Sequence, residues 1–359
     1  MDAVISCEER DEEGNGGGEM RYFSAFTGVG GFDMGMPPDW ECVGMSEIDK
    51  YANMVLRYRF KDVKNYGDIE KINYEELPDF DVLIGGSPCQ DVSVAGKRAG
   101  LVGLRSRLFF SYVALLKVKQ PDYFIFENVK GLLSSNEGRD FAEVINQFSE
   151  AGYDIWWQVL DAANFGIPQH RERIFILGTA GGSSFRKVFL GRENKRENTE
   201  NGSTQIENLH FDRSQQNRIY GVNGVAPTLH RKTGGWQATK IGIPIRQVDG
   251  RGENANGRRI KTLDEPSFTL QSSQRHGVAV LTRGVEDGKE YNMDIRYLTP
   301  LECERLQGWP DNWTKYGIDE RGNMVELSDN QRYNLIGNGV VPQVVRQIVR
   351  HLMLQENRN

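Results

Sequence analysis

Asp81-Val-Leu-Ile-Gly-Gly-Ser-Pro-Cys-Gln90 is the stretch from which the rest of the chain can be read. Asp81 to Ile84 form an apolar run of strand length that meets a turn signal, Gly85-Gly86. Pro88 then fixes the backbone one residue before Cys89. In open α/β sheets, ligands and chemistry gather outside the carboxyl ends of the strands, so Cys89 is placed as a nucleophile would be. A cysteine taken alone is more often a small buried hydrophobe. The flanking Pro88 and Gln90, and the glycine- and cation-rich run behind them, favour the reactive reading.

Downstream, residues 91–107 carry Gly96, Lys97, Arg98, Gly100, Gly103, Arg105 and Arg107. The run is too long for an ordinary connection, and reads as a mobile basic loop that closes over an anionic substrate. A plain solvated surface loop is the simpler alternative. Leu108 to Lys119 show helical apolar spacing, and Pro121 interrupts the helix. Tyr123-Phe-Ile-Phe126 is a further buried strand that delivers Glu127-Asn128 at its carboxyl end. A carboxylate there is well placed for a raised pKa and proton donation, although a lone glutamate is more often a helix cap. Gly152-Tyr153 to Leu160 give another strand. If Arg171 to Leu177 is a strand, Arg171 and Arg173 share one face. Two guanidinium groups side by side suit a phosphate or a pyrimidine carbonyl; a salt-bridged edge strand is the alternative.

Upstream, Arg21-Tyr-Phe-Ser-Ala-Phe-Thr-Gly-Val-Gly-Gly-Phe32 takes an apolar strand into a glycine-rich turn. Gly28, Gly30 and Gly31 would let the backbone approach a ligand closely. A second strand candidate, Glu41 to Ser46, ends in Glu47, where such folds bind ribose hydroxyls. A third repeat of the pattern ends at Tyr66-Gly-Asp68. A glycine turn and two acids at successive strand ends predict a nucleoside pocket.

The chain has 359 residues, enough for a large domain and a smaller one, with 38% hydrophobic residues. No apolar run reaches the length of a membrane span, and no signal peptide is recognisable. Cys7, Cys42, Cys89 and Cys303 form no CxxC pair, which argues for reduced thiols in the cytosol and against a disulfide frame or a zinc site. Residues 1–20 hold seven acids and one base, the whole of the net charge of −6. This acidic, glycine-rich tail is expected to be disordered, with Met20 at the start of the fold. Residues 211–283 hold twelve Lys/Arg against five Asp/Glu, a basic patch that the overall charge conceals. An internal repeat lies within it: Arg218-Ile219 and Thr228-Leu229 recur 41 residues later as Arg259-Ile260 and Thr269-Leu270. Each copy leads into a polar loop, His230 to Trp236 and Gln271 to His276. The reading is two loops that enter a DNA major groove, where Arg, Lys and Gln read base edges. Chance similarity of two hairpins is the alternative.

Taken in order, these blocks resemble the cytosine carbon-5 DNA methyltransferases of the bacterial or phage modification type. The residues that carry the resemblance are Phe26-x-Gly28-x-Gly30-Gly31, Pro88-Cys89-Gln90, Glu127-Asn128-Val129, Gln169-x-Arg171-x-Arg173, Arg296-x-Leu298-Thr299-Pro300-x-Glu302 and Gly337-Asn338-Gly339-Val340. They span roughly residues 20 to 350. Each block alone is weak; together, in order, they are specific. The resemblance implies an α/β fold: a class I, Rossmann-like catalytic domain dependent on S-adenosyl-L-methionine (AdoMet), with an inserted small, β-rich target-recognition domain. The implied division is a tail at 1–19, the catalytic domain at 20–185, recognition domain and hinge at 186–328, and a return to the catalytic domain at 329–359.

The resemblance also implies a mechanism. Carbon 5 of cytosine is a poor nucleophile. Addition of the Cys89 thiolate to carbon 6 makes the ring enamine-like, while Glu127 protonates or hydrogen-bonds ring nitrogen 3. Arg173, with Arg171 nearby, holds the carbonyl oxygen and the flanking phosphate. AdoMet is held by Phe26, Gly28, Gly30, Gly31, Glu47, Ile48, Asp68, Ile69, Pro88, Leu108, Asn338 and Val340. Ile48 departs from the family, in which several members carry an aromatic residue there. The target base must be flipped out of the duplex. DNA contacts are expected from Gln90, Ser93, Ala95, Lys97, Arg105, Arg218, Thr228, Arg231, Lys232, Arg258, Thr269, Gln271 and Arg275. The expected partner is double-stranded DNA, with a cognate restriction endonuclease as a further candidate. The expected state is a monomer without a metal, in the bacterial cytoplasm or nucleoid and away from membranes. A tRNA cytosine-5 methyltransferase, a non-catalytic DNA-binding regulator and a nucleotide-dependent dehydrogenase are the alternatives. The last has no need of Cys89, Glu127 and Arg173 together.

Overall fold

Four of the five residues of β1 (Arg21–Ala25) are buried, because this strand runs through the middle of a sheet covered on both faces. The computed structural model describes residues 20–88, 106–180, 219–220, 226–227, 240–242, 277–281 and 293–356. After β1 come β2 (Glu41–Ser46), α1 (Lys50–Arg59), β3 (Val82–Gly85), α2 (Ser106–Lys119), β4 (Tyr123–Val129), α3 (Arg139–Glu150), β5 (Tyr153–Asp161), β6 (Gln169–His170) and β7 (Glu172–Ala180). The main sheet has the order β2-β1-β3-β4-β7-β5. β2, β1, β3 and β4 are parallel neighbours, and β7 runs antiparallel to both β4 and β5.

Alternation along the strands splits the core into two layers. Leu83, Phe124 and Phe126 pack on one face with Phe109, Tyr112 and Phe148 of α2 and α3. Val82, Ile84 and Ile125 point to the other face, toward Val345, Ile348 and Val349. The switch from continuous apolar strands to amphipathic helices is what places the strand carboxyl ends, with Gly85, Glu127 and Glu47, along one rim.

The later elements are β8 (Ile219–Tyr220), β9 (Ala226–Pro227), β10 (Lys240–Gly242), β11 (Gly277–Leu281), β12 (Met293–Tyr297), α4 (Pro300–Leu306), β13 (Tyr316–Ile318), β14 (Met324–Glu326), α5 (Asp329–Asn338) and α6 (Pro342–Glu356). A second sheet has the order β12-β11-β10-β8, while β9 pairs in parallel with β6. α4 begins with Thr299 as N-cap, Pro300 in the first turn and a capping box closed by Glu302. Leu298, Cys303, Trp309, Trp313 and Leu327 share a core cluster with Val29, Met45, Val55 and Phe60, so the C-terminal part is packed onto the first αβ unit. There the fully buried Glu304 accepts from Thr314 N (2.8 Å), Thr314 Oγ1 (2.5 Å) and Arg332 Nη2 (3.1 Å).

Three expectations change. The third repeat forms no strand: one parallel bridge joins Met45 to Asn65, and Asp68 caps a single turn of 3-10 helix. Lys64-Asn65-Tyr66-Gly67 has no apolar run with which to extend the sheet. The basic loop is shorter than read, since Arg107 lies in the first turn of α2 and pairs with Glu70 at 3.2 Å. The strand expected over Arg171 to Leu177 forms as β7 but starts one residue later, so Arg171 lies between β6 and β7.

Beneath the first turn, Asp33 is buried, accepting from Ser24 Oγ at 3.2 Å with the Cys42 thiol at 3.9 Å. Burial raises its pKa to about 6, despite its own backbone hydrogen bond and the Ser24, Tyr22 and Cys42 side chains, which favour the charge. A carboxyl whose folded pKa exceeds its unfolded one supports the fold below the unfolded pKa and loses that support as pH rises through the folded value. Asp33→Asn is therefore expected to gain Tm relative to wild type as pH goes from 4.5 to 7.5, by the equivalent of ~1–3 kcal/mol. Thermal melts at both pH values check this; a pH-independent difference would contradict it.

Candidate active site

β3 and β4 set the centre of the site, because their carboxyl ends lie side by side in register up to Gly85 and Phe126. The next residues crowd. A Cβ on Gly86 would lie 2.6 Å from the Glu127 carbonyl oxygen and 3.0 Å from Glu127 Oε2. Glycine therefore lets the backbone leading to Pro88 pass directly over the carboxyl group. Pro88 is exposed at the end of this segment.

β7 supplies the cations. Its antiparallel register places Arg173 opposite Val129, two residues beyond Glu127. Arg173 Nε reaches Glu127 Oε1 at 3.0 Å, with both side chains mostly buried. Burial raises the Glu127 pKa, against the pull of the Arg173 charge first and of Arg171 second. Arg171 is buried as well, and its Nη2 donates to the Gly339 carbonyl at 2.6 Å and the Gly337 carbonyl at 3.3 Å. Desolvation lowers its pKa, aided by the neighbouring Arg173 charge and opposed by Glu127. The three predicted polar residues are thus brought together, but Arg171 points to the backbone after α5. Gln169 is fully buried, with Nε2 on the Leu306 carbonyl (2.7 Å) and Gln307 Oε1 (3.2 Å). At the rim, Lys130 pairs with Glu172 at 2.7 Å.

A second side of the site is built from β1 and β2. Phe26 holds φ of +53°, an uncommon backbone state for a residue with a side chain, and Gly28 and Gly30 follow with positive φ. Glu47 Oε2 accepts from Gly28 N at 2.7 Å, while Oε1 accepts from Ile48 N (2.8 Å) and Asp49 N (2.7 Å). Burial raises its pKa against these backbone donors. An ionised carboxylate has about four acceptor sites, so Glu47 keeps room for a ligand hydroxyl. Ile48 beside it is 66% exposed, an open apolar face at a strand end. Nothing lies within 4 Å of where a Gly28 Cβ would be. This open cradle, with an acid and an apolar side chain at its edge, fits a nucleoside-bearing cofactor. Asp68 is half-buried; hydrogen bonding and pairing with Lys71 lower its pKa. Ile69 is buried, and Leu108 packs at the edge of the core. Asn338 is exposed at the end of α5. Gly31 meets Val340 so closely that a Cβ would lie 2.9 Å from both Val340 N and O.

Cys89, Gln90, Ser93, Ala95, Lys97, Arg105, Arg218, Thr228, Arg231, Lys232, Arg258, Thr269, Gln271 and Arg275 lie outside the described residues, as do the acidic tail and the second copy of the repeat. Two residues at the site escape a reading of the sequence. Asp161 accepts from Arg171 N at 2.9 Å and holds His170 Nδ1 at 2.6 Å, and so fixes the backbone between β6 and β7. Its only signal is an acid that ends an apolar strand. Gln307 gives no signal beyond its place after a capped helix.

Residues 20–353 match the family described as C-5 cytosine-specific DNA methylase. The chain is 31% identical to the type II methyltransferase M.BsuFI of Bacillus subtilis, over 94% of this chain and 73% of that one. It is 29% identical to the orphan methyltransferase M.SPRI of Bacillus phage SPR, over 94% and 98% of the two chains. Among solved structures, the Entamoeba histolytica methyltransferase EhMeth superposes with a TM-score of 0.61 at 18% identity, covering 95% of this chain and 99% of the other, which establishes the common fold.

Gly31→Ala is expected to force the turn and the Val340 backbone apart, at a cost of ~1–3 kcal/mol. A thermal melt of the purified variant measures it; an unchanged Tm would show that this contact has slack.

Proposed function

The chain belongs to the C-5 cytosine-specific DNA methylase family and is a DNA methyltransferase with a class I α/β fold, and we propose that it acts at specific sites through a covalent cysteine adduct. The observation that carries this reading is the buried Glu127 carboxyl, placed between Arg173 and the glycine turn that leads to Pro88. Burial keeps a proton on Glu127 at higher pH than an exposed glutamate would allow. Such a group donates to ring nitrogen 3 of cytosine and neutralises the charge that develops when the Cys89 thiolate adds to carbon 6. That addition makes carbon 5 nucleophilic. After transfer, loss of the carbon-5 proton to water and expulsion of the thiolate restore the ring. Arg173, held by Glu127, faces the carbonyl oxygen of the same base.

The cofactor is AdoMet, whose bound form supplies the methyl group. Phe26, Gly28, Gly30, Gly31, Glu47, Ile48 and Asp68 would hold it, with Asn338 and Val340 closing the side formed by the C-terminal segment. No helix among the described residues is long and apolar enough to cross a membrane. The substrate is duplex DNA with the target cytosine turned out of the stack, because neither face of a stacked base admits a thiolate. Residues 186–328 are the recognition domain with its hinge, and the basic loop before α2 covers the flipped base. Positive charge in 211–283 gives affinity for phosphate, and the repeated polar loops give the choice of site.

Transfer of tritiated methyl from AdoMet to a long mixed-sequence DNA tests this. Wild type is expected to yield carbon-5 methylcytosine at a limited set of sequences, and Cys89→Ala none. No transfer to DNA by folded, AdoMet-binding wild type would sink the reading; the same assay on tRNA would then identify an RNA enzyme. A protonated Glu127 also sets a sign: kcat/KM should fall as pH rises through its raised pKa. In Glu127→Gln that limb should vanish, with activity lower by ~10²–10⁴-fold.

A further inference from the structure

We propose that Arg171 is a positioning residue that ties the target-base pocket to the AdoMet turn, by capping α5 rather than by contacting base or phosphate. The inference rests on the cofactor site described above. α5 ends at Asn338, and the last carbonyls of a helix have no partner within it. Here they are taken up from outside. Gln307 Nε2 donates to the Ile336 carbonyl at 2.8 Å, and Arg171 Nη2 donates to Gly337 and Gly339. A guanidinium buried against the negative end of a helix dipole is both satisfied and directed.

The capped segment continues straight into the cofactor side. Trp309 Nε1 donates to the Val340 carbonyl at 3.0 Å, and the Trp309 ring occupies the space where a Gly339 Cβ would be. Val340 in turn abuts Gly31. At its other end, Arg171 is adjacent to Arg173, the partner of Glu127, and its own N–H is fixed by Asp161. One residue thus links the backbone two positions before Arg173 to the segment that walls the cofactor turn. Shifting it would move Gly339 and Val340 against Gly31 before any DNA is bound. Arg173 is engaged elsewhere: its Nε pairs with Glu127 Oε1 at 3.0 Å and its Nη1 donates to the Glu172 carbonyl at 2.9 Å.

The test uses the full chain without DNA, and S-adenosylhomocysteine as the probe, bound in a calorimeter. Arg171→Ala is expected to weaken binding about tenfold or more, because a buried charge-assisted pair of bonds is lost. Arg171→Lys, which keeps the charge but not the fork, should fall between, and Arg173→Ala should stay within about twofold of wild type. Hydrogen exchange at the amides of residues 337–339 should accelerate in both Arg171 variants and not in Arg173→Ala. In turnover, Arg171→Lys should raise the KM for AdoMet, whereas Arg173→Ala should lower kcat. Wild-type affinity and wild-type protection of 337–339 in Arg171→Lys would overturn the proposal, and this variant decides if Arg171→Ala does not fold. If wild type itself fails to bind the probe, the cofactor reading falls, and the exchange data alone judge Arg171.

Discussion

The close approach of Gly31 to the Val340 backbone is the constraint around which the molecule is arranged. It joins the first turn of the chain to a segment more than three hundred residues later. Closing so long a loop costs chain entropy, so the contact must be backed by packing and directed bonds. The backing is visible on both sides. Trp313 Nε1 donates to the Val29 carbonyl at 2.8 Å, Arg59 Nε donates to the Trp313 carbonyl at 3.1 Å, and Gly35 packs against Val345. Glu304 and Arg332, buried between α4 and α5, hold the returning piece to itself. Removing either partner of such a pair typically costs ~3–5 kcal/mol, because the other charge is left buried. The pair is better understood as fixing one arrangement than as adding net stability.

Two acids near the carboxyl ends of β2 and β4, with two strands between them in the sheet, are set in opposite polar surroundings. Glu47 and Glu127 are both partly buried, and desolvation of the carboxyl raises the pKa of each. Glu47 faces three backbone N–H groups, donors that favour its ionised form and leave it as an acceptor. Glu127 is set against two guanidinium groups, one of which is spent on a distant backbone. At Glu127, burial pushes the pKa up while the two guanidinium charges pull it down, and burial is the larger effect.

Much of this was legible in the residues. β3 and β4 hold unbroken apolar runs, Val82–Ile84 and Tyr123–Phe126, that meet a glycine and an acid, and a strand covered on both faces requires such a run. What could not be read is equally physical. Tyr66-Gly-Asp68 repeats the strand-end pattern without the strand, since Asn65 makes only one bridge. The role of Arg171 depends on carbonyls 166 and 168 residues away, and backbone acceptors leave no trace in a sequence. Asp33 looks like any surface acid until the strands on either side bury it.

One consequence follows from the pairing of β6 with β9. Gln169 and His170, next to Arg171, meet Ala226 and Pro227 through main-chain atoms in parallel register. Pro227 offers only its carbonyl, so the ladder there is short. A joint of this kind asks little of the side chains on the β9 side. Another segment could take the place of β9, provided that two extended residues arrive in the same phase. The β6 edge would then act as a fixed socket, indifferent to the sequence of whatever segment it receives.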